Sequence, residues 1–296
     1  MKISQAVLST LAYHDIFNYP LTLSEIHSYL IDKKSGQKSL EKTLELLVKN
    51  KRIGNDQSFF FLKGKKSLVN LRIQRQHHSQ KKLEKAKFYA QILRLIPSVR
   101  LVAVSGALAM GNSHKNDDID LVIISAKGLL WTTRFFTNIL LWQFKRDPKG
   151  KNRTDRACLN LFLDESALKI HDQNLYTAHE IVQLKTLLDN DKTYSRLIKS
   201  NSWLFTFLPN WKPEEQGPAL SSTQGWSLFH LFQRFLLSNV RPFETILKNL
   251  QLLYMKSKIT TEKIGDRQLF FHPKETQRQI LMKYETRVRS QKIFKT

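Results

Sequence analysis

Between residues 99 and 125 the chain reads VRLVAVSGALAMGNSHKNDDIDLVIIS, and no other stretch limits its fold as closely. Two short apolar, largely β-branched runs, 101–104 and 119–124, have the length and composition of buried strands. A Ser105-Gly106 turn ends the first run, and small residues lead on to Gly111. The second run opens with Asp118 and Asp120, and residues two apart on a strand share a face. Two neighbouring carboxylates repel, and seating them at the head of an apolar strand is costly unless a cation lies between them. Oxygen ligands of this kind suit a hard ion such as Mg2+, which completes its shell with water and substrate phosphates.

The turn, the glycine and the Asp-Ile-Asp step together resemble the DNA polymerase beta-like nucleotidyltransferase superfamily, where a Gly-Ser or Gly-Gly turn precedes Asp-hydrophobic-Asp on the next strand. The resemblance implies that Gly106 is the first turn residue, Gly111 the later glycine, and Asp118-Ile119-Asp120-Leu121 the metal-binding strand. It further implies that Ser105, Gly106, Ala107 and Gly111 hold the nucleotide and that Asp118 and Asp120 are the catalytic metal ligands, for Mg2+ or in its place Mn2+. Two positions depart from the pattern: Ala107 stands where Ser or Gly is usual, and Met110 where many relatives carry Arg. A third strand in this superfamily commonly supplies a third carboxylate. Here residues 157–163 read as that strand, and Cys158, Asn160, Phe162 and Asp164 fall on one face of a regular one. Asn160 then takes the third position without a charge, and Asp155 and Asp164 stand as alternatives to it.

The flanking segments predict an α+β chain in four parts. Residues 1–66 show three helical stripes and then a hairpin, with 54–56 as turn residues and a return strand at 59–62. Thr22 and Glu25 have capping-box spacing. This order resembles a winged helix, a fold used both for DNA and for protein docking; the exposed face of its third helix mixes Lys38, Lys42 and Lys49 with Glu41 and Glu45. Residues 67–97 read as one basic linker helix ending at Pro97, whose adjacent His77 and His78 point too far apart to chelate one ion. Residues 98–172 form the nucleotidyltransferase core, a mixed sheet flanked by helices. Residues 173–296 read as a helical region, with helices over 174–188, 193–207, 225–257 and 274–289 and a linker at 209–222.

Charge bears on partners. The 48 Lys and Arg against 25 Asp and Glu leave a net charge of +23, and residues 67–100 hold eight of these cations against one Glu, or +7. Such a bias favours polyanions through counterion release. The single cysteine, Cys158, fits a reducing cytoplasm, the first residues lack a signal-peptide pattern, and the apolar run at 128–144 is interrupted by Arg134 and Gln143, so no membrane partner is expected. The expected activity is transfer of a nucleoside monophosphate from an NTP to an acceptor that the sequence does not name, a nucleic acid, a protein hydroxyl or a small molecule. The alternative is a non-catalytic scaffold of the same fold, acting as a regulator or adaptor through its winged helix on DNA or a protein.

Overall fold

Apolar side chains on both faces of one sheet set the architecture. The computed structural model describes residues 1–147, 153–213, 243–256, 263–271, 274–291 and 293. In order they form α1 (Ile3–Asp15), α2 (Leu23–Ser28), α3 (Gln37–Lys49), β1 (Ile53–Asp56), β2 (Phe59–Leu62), α4 (Leu68–Leu93), β3 (Val99–Val104), α5 (Gly106–Ala109), β4 (Ile119–Ser125), α6 (Leu130–Leu140) and β5 (Ala157–Asp164). Then follow α7 (Leu175–Val182), β6 (Lys185–Asp189), α8 (Thr193–Ser200), α9 (Leu204–Phe207), α10 (Phe243–Met255), β7 (Lys263–Ile264), β8 (Gln268–Phe270) and α11 (Lys274–Ser290). The expected linker at 209–222 and the expected helix start at Trp226 lie largely or wholly outside the described residues.

The chain is mixed α+β, with a six-stranded sheet of order β6-β3-β4-β5-β8-β7 and a separate two-stranded antiparallel sheet, β1-β2. The three strands expected to be neighbours lie side by side: β3 and β4 are antiparallel, β4 and β5 parallel. Side-chain alternation divides β4 between two cores. Ile119, Leu121 and Ile123 pack under α4 and α6 with Leu93 and Trp131, while Val122 and Ile124 face α7, α8 and α9 with Ile181 and Leu197. The amides of Trp131 and Thr132 opening α6 both donate to Glu244 of α10 at 2.8 Å, which satisfies groups that a helix leaves orphaned.

Three expectations are corrected. The region after residue 172 is not wholly helical: the helix read over 174–188 stops at Val182, and KTLLD becomes β6, an edge strand on β3. That region also supplies β7 and β8, so the expected boundary at residue 172 cuts through the sheet. In the hairpin, Gly54, Asn55 and Asp56 belong to β1, and the turn is Gln57-Ser58 with φ of 47° and 69°. Positive φ at both central residues matches the twist of the flanking strands, and it places the turn just after the Gly-Asn-Asp run instead of within it.

The N-terminal unit is three helices and the hairpin, with Leu21 bridging to Phe60 as an added strand position. Thr22 and Glu25 form the capping box. The other Glu25 oxygen accepts from Arg72 Nη2 of α4 at 2.8 Å. The Arg72 guanidinium lies 3.8 Å from the centroid of the Tyr19 ring and donates to the carbonyls of Met110 at 3.0 Å and Gly111 at 3.3 Å. Beside it, Arg75 and Asn112 both donate to the carbonyl of Phe17. On the opposite side Tyr13 stacks on His179 of α7, with 4.1 Å between ring centroids. Burial holds His14 and His179 neutral there and pulls the His14 pKa down to about 4. The strand of charge on α4 is therefore partly internal. Arg72 and Lys82 are buried, and Lys82 pairs with Asp155 at 2.5 Å, leaving Lys81, Lys85, Lys87 and Arg94 on the surface.

Removing one partner of a buried ion pair strands the other, at about 3–5 kcal/mol. Arg72→Met should lower the urea unfolding free energy by that amount. Arg72→Lys should recover little of it, because one ammonium cannot span Glu25 and two carbonyls at once. A loss below about 1 kcal/mol for either would show that the contact is a surface-like pair.

Candidate functional site

The head of β4 and the turn after β3 meet at one point. The amide of Ser105 donates to the carbonyl of Asp120 at 3.0 Å, which sets the turn against the strand. Gly106 then takes φ +59°, a left-handed conformation that costs an L side chain about 1–2 kcal/mol, and a Cβ there would lie 3.4 Å from Asp120 Oδ2. The backbone thus favours glycine, while the carboxylate lies at ordinary contact distance from where a methyl group would stand. Gly106 and Ala107 open the short α5, and the first amides of a helix have no intrahelical acceptor. Gly111, at φ +65°, is turned toward Arg72 rather than toward the aspartates.

Asp118 and Asp120 converge. One oxygen of each lies within 4.8 Å of the other and of Cys158 Sγ. Burial and then the charge of Asp118 push the Asp120 pKa from 3.8 up to about 7. Asp118 is held by Arg146, whose Nη1 donates to its Oδ2 at 2.7 Å from a guanidinium about half exposed. Arg146 lies in the basic segment that follows α6.

The third position is not where regular alternation puts it. In the parallel β4–β5 register Asp120 pairs with Cys158 and Leu121 with Leu159, but Val122 pairs with Leu161. Asn160 is therefore the extra residue of a β-bulge. Upstream of it Cys158 faces Asp120; downstream Phe162 turns into the core under α4 and α6. Cys158, Asn160, Phe162 and Asp164 consequently do not share a face. Asn160 stays next to the site, with Cys158 Sγ 3.5 Å from its Oδ1. Asp164 instead caps the far end of β5, accepting from the amides of Gly128 at 2.6 Å and Ser166 at 2.8 Å. Asp155 is engaged by Lys82 and Lys85, which outweigh its burial and hold its carboxyl below the usual range. Neither aspartate joins the pair. The residue beside it is the thiol of Cys158, whose pKa burial and then Asp120 push well up.

Sequence reasoning also passed over α7. A cavity of about 120 Å³ lies between β5 and α7, lined by Ser105, Asn160, Tyr176, Glu180, Phe270 and Gln277 among others. Burial and then the charge of Asp120 push Glu180 up to about 7, and burial, then Glu180 and then Asp120 raise Tyr176, so both feel the Asp120 carboxylate. The only signal was a Tyr and a Glu four apart on an apolar helix, LYTAHEIV, which puts them on one face.

Scans against protein-family models, curated proteins and solved structures returned no match.

Two outcomes follow from the pair. Gly106→Ala should keep the fold but cost about 1–2 kcal/mol by chemical denaturation; no change would mean the turn is not held in the left-handed region. Asp120 has a folded pKa of about 7 against 3.8, so its stabilising contribution is complete at low pH and is lost as pH rises through 7. Asp120→Asn should therefore melt higher than wild type at pH 8, with the difference fading as pH falls toward 4. Equal melting at pH 8 would show that the carboxylates do not repel.

Proposed function

We propose that this chain is a metal-dependent nucleotidyltransferase of the DNA polymerase beta-like kind, moving a nucleoside monophosphate from an NTP to an acceptor hydroxyl. The observation that carries the reading is the Asp120 carboxylate seated against Gly106, with Asp118 beside it. The strand order supports it, since the aspartate strand is central and paired antiparallel with the strand that feeds the turn. The carboxylates fit a hard divalent cation: both offer oxygen, and the cost of burying Asp120 beside Asp118 is one that a bound cation would offset. Asp118 and Asp120 would hold Mg2+ or Mn2+, which lowers the pKa of the attacking hydroxyl and neutralises charge on the departing phosphates. Cys158, kept as a thiol, contacts the pair and offers a hard ion little.

The chain supplies the rest. Amides at Gly106 and Ala107 face the phosphates, doing by backbone what Ala107 cannot do by side chain. Arg146 provides the phosphate-facing cation that Met110 does not, by exchanging Asp118 for an NTP oxygen. The acceptor oxygen forms its bond to the α-phosphorus, the bond to the β-phosphate bridging oxygen breaks, and pyrophosphate leaves with the electron pair.

The N-terminal unit fits a winged helix: three helices, a hairpin and the Leu21–Phe60 bridge occur in that order. Its third helix leaves Lys38, Lys42 and Lys49 exposed, together with Glu45 and Leu46. A second reading, a non-catalytic adaptor acting through this unit, is favoured by one observation, the thiol of Cys158 where a third carboxylate would stand.

Calorimetry with Mg2+ and each NTP decides between them. Binding that needs Mg2+, together with a loss of roughly 100-fold or more in transfer for Asp118→Asn and Asp120→Asn, supports the enzyme. No Mg2+-dependent binding by wild type removes it and leaves the adaptor. Cys158→Asp should raise Mg2+ affinity, whereas Asn160→Asp, at the bulge, should raise it less.

A further inference from the structure

The cavity between β5 and α7 has features that the transfer reading has not used. Its lining is largely apolar, with Val122, Leu161, Ile181 and Phe270, and includes Tyr176 and Glu180. Among the described residues neither the Tyr176 hydroxyl nor the Glu180 carboxylate makes a hydrogen bond or an ion pair. A carboxylate set in a largely apolar wall without a partner is costly, and a ligand that donates to it removes that cost.

The geometry points to this cavity as the subsite for the acceptor, taking a single hydroxyl-bearing ring that carries no negative charge and holding it through Glu180 and Tyr176. Size sets the first limit. A dry cavity of about 150 Å³ holds one benzene ring, and this one, at about 120 Å³ and open at its rim, admits the end of one ring and no more. The apolar lining suits the C–H face of such a ring, and the two polar groups suit its hydroxyls. Charge sets the second limit. Asp172 and Lys263 on the lining pair with each other at 3.3 Å, Lys263 being the one cation among the described lining residues, and this leaves Glu180 as the charge without a counterion. Within a chain of net charge +23, this is an acidic recess that repels phosphates and favours neutral or amine-bearing alcohols.

The role of Glu180 in transfer rests on the nucleotidyltransferase reading. There it receives the proton of the acceptor hydroxyl as the oxygen bonds to the α-phosphorus, and it becomes a neutral carboxylic acid while pyrophosphate departs. Glu180 lines the cavity together with Ser105, whose amide bonds the Asp120 carbonyl, and with Asn160, so the carboxyl shares a recess with the turn and the aspartate strand, and burial raises its pKa. The third carboxyl group of the site then comes from a helix across the cavity instead of from β5.

Three probes test the cavity without nucleotide or metal: myo-inositol, an amine-bearing cyclitol and inositol monophosphate, each followed by saturation-transfer NMR on the full chain. The first two should bind wild type in the millimolar range and the phosphate ester should not. Gln277→Trp, a change on the surface of α11 that fills the rim, should weaken both by roughly tenfold or more, with the circular dichroism spectrum and melting temperature unchanged. Glu180→Gln should weaken the amine-bearing probe by roughly tenfold and the neutral one by less, since a charge-assisted contact becomes a neutral one. No binding to wild type, equal binding of the phosphate ester, or indifference to either variant overturns the proposal. Because no NTP is present, binding here with failed Mg2+-NTP calorimetry would overturn the transferase reading alone.

Discussion

The guanidinium of Arg72 is the contact on which the rest of the arrangement depends. It is buried, it joins the capping box of α2 to the carbonyls of Met110 and Gly111, and it covers the Tyr19 ring. Those carbonyls end the segment that starts at Gly106, so the position of the turn against Asp120 is set from the N-terminal unit as well as from the sheet. A lysine would supply the charge without the planar fork, and a hydrophobic residue would leave Glu25 Oε1 and the carbonyls of Met110 and Gly111 with the Tyr19 hydroxyl alone, which can donate to Glu25 or to Met110 but not to both. The N-terminal unit is accordingly a structural wall of the proposed site. Any docking partner of α3 that shifted this unit would strain the Met110–Gly111 contacts directly, which gives the two parts a physical route for coupling.

How much was legible depended on how local the determining interaction is. The strands around the aspartates, the capping box and the long α4 follow from patterns within a few residues, and they stand within a residue or two of the bounds read from sequence. The strand at KTLLD did not show itself because a short apolar run has no period to separate strand from helix, and its partner β3 lies far upstream. The bulge at Asn160 was hidden for a related reason: ACLNLFLD alternates acceptably in either register, and only pairing with β4 reveals the extra residue. Tyr176 and Glu180 were invisible as site residues because nothing nearby in the chain marks them; packing of α7 over the sheet brings them to Asp120.

Charge shows the same division between local and assembled properties. A count over residues 67–100 describes a polycationic helix, yet Arg72 and Lys82 spend their charge on Glu25 and Asp155 inside the protein. The cationic surface of α4 and the cavity lined by Glu180 lie on opposite faces of the sheet. In the proposed reaction an anionic and an uncharged substrate would therefore meet different fields.

Ile293 lies in the hydrophobic core of the N-terminal unit, Gln5 donates to its carbonyl, and Arg52 donates to the carbonyl of Gln291. During synthesis the three helices and the hairpin are made well before Ile293, so their core waits for a side chain that arrives much later and carries an open apolar gap until then. A nascent chain that stalls before Ile293 brings that gap into the cell, where chaperones and proteases recognise exposed apolar surface.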